Sequence, residues 1–92
     1  MARRFGDTKA GHRATAARMA PSMRMEFKIT RGHAARGECR AAIRGLSMTG
    51  YAAGKYVAER AESKKKGSKK TGRIARDLFA LADRIARACV MR

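Results

Sequence analysis

His12, His33, Cys39 and Cys89 are the side chains of this chain that most often do catalysis or hold metals, and their spacing suits neither task. The two cysteines stand fifty positions apart with no CxxC pair, so a zinc module is not expected. The seven acids include no pair beside a histidine arranged for general acid–base work, and no glycine pattern forms a phosphate loop. No metal and no cofactor are expected, and the chain reads as a binding protein, not an enzyme. Cys39 and Cys89 read as two small buried thiols in a reducing, cytoplasmic setting.

The chemistry that remains is cationic. Twenty-three lysines and arginines against seven acids give a net charge of +16 and a pI near 11.5. A charge of this size on 92 residues opposes compaction unless a polyanion offsets it; nucleic acid is the leading candidate and an anionic membrane surface the second. The cations are spread along the chain. Residues 1–22 hold five basic and one acidic side chain, residues 23–62 eight and four, residues 63–92 ten and two. Such a spread suits an extended polyanion better than a single acidic pocket. No apolar run approaches the ~18 residues of a membrane span, and no membrane partner is expected.

Four segments must position these cations. Residues 1–22 read as a flexible basic arm, whose Arg-rich, acid-poor composition is shared by organelle transit peptides; Arg3, Arg4 and Arg13 are its phosphate-binding candidates, and Pro21 closes any helix through Ala14–Ala20. Met25, Phe27 and Ile29 then alternate with Arg24, Glu26, Lys28 and Thr30, the period of a half-buried strand. One strand needs a partner for its backbone groups, which points to a second copy of the chain. Thr30 would cap a helix from Arg31 to Arg44 that Gly45 stops, and Ser47 a second helix from Met48 to Glu62. Residues 63–70 (SKKKGSKK) read as a linker or a phosphate clamp through Lys64, Lys65, Lys66, Lys69 and Lys70. Residues 71–92 carry an amphipathic helix whose stripe is Ile74, Leu78, Leu81 and Ile85, for core, dimer or partner packing.

The run Phe27-Lys28-Ile29-Thr30 followed by Ala41-x-x-x-Gly45-Leu46-Ser47-x-x-x-Tyr51 resembles the ribbon-helix-helix DNA-binding family over residues 23–62. The resemblance implies a mainly α fold: one short strand, two helices and an additional C-terminal helix, in an intertwined homodimer whose paired strands lie in the DNA major groove. It makes Arg24, Glu26 and Lys28 the base readers. Thr30, Ser47, Met48 and Thr49 join the phosphate contacts, the last three around the N-terminus of the second helix. Plasmid mobilisation as a relaxosome accessory, plasmid maintenance or transcription regulation are the roles the family implies. The Ala41–Ser47 run also resembles a helix-turn-helix turn, in which the second helix would enter the groove. Two further readings stay open on charge alone: a structural RNA-binding protein such as a small ribosomal component, and a basic interaction or inhibitor protein. DNA is favoured over RNA as partner.

Overall fold

The computed structural model describes residues 8–62 and 69–90, with side chains described from residue 72 in the last segment. Three helices account for nearly all of them: α1 (Lys9–Ala35), α2 (Cys39–Glu62) and α3 (Lys69–Cys89). Among the described residues there is no strand. The expected ribbon-helix-helix arrangement, with a strand through Met25, Phe27 and Ile29, is therefore replaced by an all-helical one.

Why this segment is helical lies in its other spacing. Ala16, Ala20, Met23, Phe27, Thr30 and Ala34 are buried at intervals of 4, 3, 4, 3 and 4, the seam of a helix packed along its whole length. Met25 and Ile29, the expected strand companions of Phe27, are 61% and 46% exposed. The same seam runs through residues expected to form a loose arm, so residues 9–22 are the first half of α1. Thr8 begins it, its hydroxyl accepting from the Gly11 amide at 3.0 Å. Pro21 lies inside the helix instead of ending it. It sits on the exposed side, where water can take the carbonyl its missing N–H leaves free. An interior proline costs about 3 kcal/mol relative to alanine, which the seam must offset. Full burial of Met23 and Phe27 supplies about 1.5–3 kcal/mol each.

The turn to α2 falls at Arg36–Glu38, well before Gly45. Gly37 takes φ 72°, and the Glu38 and Gly37 amides donate back to His33 and Ala34 carbonyls at 2.9 and 3.2 Å, a Schellman closure. Beyond it α2 returns antiparallel to α1, so that His12 and Glu59 meet at 2.6 Å near the other end.

Gly45 sits in the middle of α2 for a packing reason. A Cβ placed there would lie 2.4 Å from the Thr30 hydroxyl oxygen, so only glycine lets α1 come this close. Thr49, one turn on, donates its single hydroxyl proton to the Gly45 carbonyl at 2.7 Å. The 3.1 Å contact between the two threonine hydroxyls is then a bond donated by Thr30 to Thr49. Both threonines are fully buried. Thr30 therefore caps nothing, and Gly45-Leu46-Ser47 forms neither a helix stop nor a helix-turn-helix turn.

α3 lies along the α1–α2 hairpin. Ile74, Leu81 and Ile85 are buried and Leu78 half-buried, so the expected stripe is spent on this chain's own core. Cys39 and Cys89 form a disulfide with Cα atoms 5.5 Å apart, which corrects the expectation of two reduced thiols. It ties the start of α2 to the end of α3. The assembled body measures 55 × 22 × 18 Å, and none of its helices is long and apolar enough to cross a membrane.

Candidate nucleic-acid interface

On α1, Arg24, Lys28 and Arg31 each follow a seam residue (Met23, Phe27, Thr30) by one position, which places them side by side along one flank of the buried stripe. Arg13 extends that line three turns earlier, since eleven residues are close to three full turns. All four are exposed. On α3, Arg73, Asp77 and Arg84 each lie beside the stripe, Arg73 and Arg84 one position before Ile74 and Ile85, on the flank that meets α1. Packing α3 against the hairpin brings the two flanks together.

Two adjoining clefts result. Arg24, Arg31, Arg73 and Asp77 line a cleft of about 240 Å³ together with Met23, Phe27, Tyr56 and Ile74 of the core. Arg31, Asp77 and Arg84 border a second of about 140 Å³. Four arginines from two helices thus line this seam of two clefts, with Asp77 the one acid among them. Between Arg73 and Arg84 the seam follows α3 for eleven residues, about 16 Å of helix axis. Rigid backing comes from the disulfide at one end and the Tyr56 side of the core at the other, where the Arg60 guanidinium lies over the Tyr56 ring at 6.0 Å.

The expected base readers are divided by the helix. Arg24 and Lys28 stand on the α3 side of α1, whereas Glu26 lies half-buried on the other flank, in a groove with Ser22, Ser47, Met48 and Tyr51. No strand side chain therefore enters a groove as a set. Thr30 and Thr49 are withdrawn from the phosphate-binding set by burial, their hydroxyls bonded within the core. Ser47 and Met48 are exposed but lie mid-helix, not at a helix N-terminus, so their amides are not free for an anion. Arg13 remains an exposed cation in line with the seam. Lys69 and Lys70 begin α3. Arg3, Arg4, Lys64, Lys65 and Lys66 lie outside the described residues.

Sequence reasoning does not single out Arg31, Arg73, Arg84 and Asp77 as a site. Their signal is their place beside each apolar stripe, and it becomes readable only when α1 is recognised as a helix through Pro21. On the opposite side of α3, Ala75, Leu78, Phe79 and Ala82 line an uncharged groove with Leu46 and Gly50, and Phe79 is 77% exposed. A separate ionic group closes the α1–α2 turn: Glu38 accepts from Arg36 and lies 3.4 Å from His33. The Arg36 hydrogen bond, more than any other influence, holds the Glu38 carboxyl below the ordinary glutamate range.

Compared with protein-family models, curated proteins and solved structures, the chain matches none of them.

Proposed function

We propose that this is a non-enzymatic nucleic-acid-binding protein that holds the phosphate backbone of duplex DNA in the arginine seam between α1 and α3. The observation that supports the reading is that Arg24, Arg31, Arg73 and Arg84, from two helices, line two adjoining clefts in which Asp77 is the one acid, in a chain of net charge +16. Measured along the duplex axis, about 16 Å spans on the order of five phosphates of one strand. Arginine forks suit phosphate oxygens in pairs, and four such contacts act through backbone charge without a base code.

This form of the reading differs from the ribbon that the family resemblance implies. With the strand replaced by helix, major-groove reading by Arg24, Glu26 and Lys28 has no scaffold, and the plasmid and regulatory roles attached to it lose their structural basis. The strand was also the reason for a homodimer, and the seam is complete within one chain. Cytoplasmic location goes with this reading only if the Cys39–Cys89 bridge opens in a reducing milieu; a persistent bridge belongs to an oxidising compartment.

The test is fluorescence anisotropy on a labelled duplex across a salt series. Four phosphate contacts predict a log–log slope of about −3.6 or steeper, and Arg31→Gln with Arg84→Gln should flatten it by about 1.8. A slope unchanged in the double variant would remove the seam from the interface. Tighter binding to structured RNA than to duplex DNA would transfer the reading to a structural RNA-binding role.

A further inference from the structure

The cleft at Arg24, Arg31 and Arg73 has a form that a continuous backbone does not require. Its floor is made of core side chains: Phe27 and Ile74 are 6% and 7% exposed, with Met23 and Tyr56 beside them. Its mouth carries three guanidinium groups and one carboxylate, Asp77, leaving two positive charges in excess. An internal phosphodiester bears one negative charge and must let the strand enter on one side and leave on the other. A phosphomonoester bears close to two at neutral pH, offers three terminal oxygens, and needs a single exit. The charge excess of two matches the second.

We propose that this cleft binds a phosphomonoester dianion, with its three terminal oxygens toward Arg24, Arg31 and Arg73 and its ester oxygen toward solvent. The group can be the 5′-phosphate at a nucleic-acid end, which there takes the place of the internal phosphates at Arg24, Arg31 and Arg73 and rests on the reading above, or the phosphate of a free nucleotide. Charge-assisted bonds from planar guanidinium groups supply the discrimination, since a phosphodiester lacks the third free oxygen. Asp77 holds the excess charge at two and so sets the preference for a dianion over more highly charged groups.

The test compares two duplexes of one sequence, one with 5′-phosphate ends and one with 5′-hydroxyl ends, by anisotropy at fixed salt. Thermal unfolding is followed in parallel with a nucleoside 5′-monophosphate or the bare nucleoside. Removing one charge-assisted hydrogen bond should weaken binding about tenfold. The wild type and Arg76→Gln, whose arginine is exposed on α3 outside the cleft lining, should prefer the phosphorylated duplex about tenfold. In Arg73→Gln and in Arg24→Gln the ratio should fall to about one. Equal affinity for the two duplexes, with stabilisation by the monophosphate and not by the nucleoside, assigns the site to free nucleotides. Stabilisation without any duplex binding keeps the site and overturns the nucleic-acid reading. Equal affinities and no stabilisation overturn the cleft's preference, and salt-dependent duplex binding would then stand alone.

Discussion

Replacing Gly45 by alanine probes the point where α1 and α2 come closest. The added Cβ would lie 2.4 Å from the Thr30 hydroxyl oxygen and 3.2 Å from its Cβ and Cγ2, where ordinary contact begins at 3.4 Å. The helices must therefore part by about 1 Å, or Thr30 must turn and abandon its bond to Thr49. Overpacking of this kind costs about 1–3 kcal/mol, and a buried hydroxyl left unpartnered costs a similar amount. Alanine returns about 1 kcal/mol through its better helix propensity. The net expectation is a loss of up to about 2 kcal/mol, or up to roughly 16 °C in Tm for a chain of this size. Gly54 supplies the control, because it is exposed in the same helix and a Cβ there meets nothing within 4 Å. Gly54→Ala should gain about 1 kcal/mol. Thermal and urea unfolding followed by helical circular dichroism, with the disulfide intact, would separate the two. Thr30→Ala in the Gly45→Ala background should recover part of the loss, a non-additivity above about 0.5 kcal/mol. Equal stabilisation by the two glycine replacements would refute the close approach.

Reducing the Cys39–Cys89 bridge, or replacing both cysteines by serine, frees a loop whose ends are 50 residues apart; chain entropy sets the cost at about 4 kcal/mol, measured as a fall in the unfolding midpoint. Glu38 gives the pH dependence: its carboxyl titrates below the ordinary glutamate value in the folded chain, so its contribution is present above that value and lost as pH falls through the folded one. Amide exchange at Gly37 and Glu38 should accelerate over that acidic window in the wild type, and Glu38→Gln should abolish the step.

The C-terminal helix is legible in the sequence because large aliphatic residues, Ile74, Leu78, Leu81 and Ile85, mark its stripe without interruption. α1 is not, because its seam is written mostly in small residues. Ala16, Ala20, Thr30 and Ala34 carry little hydrophobic signal, and between them Met25, Phe27 and Ile29 offer a stronger alternation that the fold does not use. Pro21 and Gly45 mislead for a common reason: each is a local helix breaker tolerated by tertiary context, the proline by solvent on its exposed side and the glycine by the threonine that fills its place. Pairing of the cysteines requires the return of α3 along the hairpin, which no local pattern encodes. Arg24 can be singled out from sequence, but its companions Arg31, Arg73 and Arg84 come from the packing of α3 on α1.

The three-residue turn at Arg36–Glu38 also governs the order in which the hairpin can assemble. Contacts between α1 and α2 widen steadily in sequence separation away from it, from 19 residues at Thr30–Thr49 to 47 at His12–Glu59. Each contact made near the turn shortens the loop left for the next, so the entropy of closure falls in small steps and never in one long one. A chain built this way closes from the turn outward, with the Thr30–Gly45–Thr49 node as a buried checkpoint of register: a slipped register would set Thr30 against a residue bearing a Cβ and stop the zipper there.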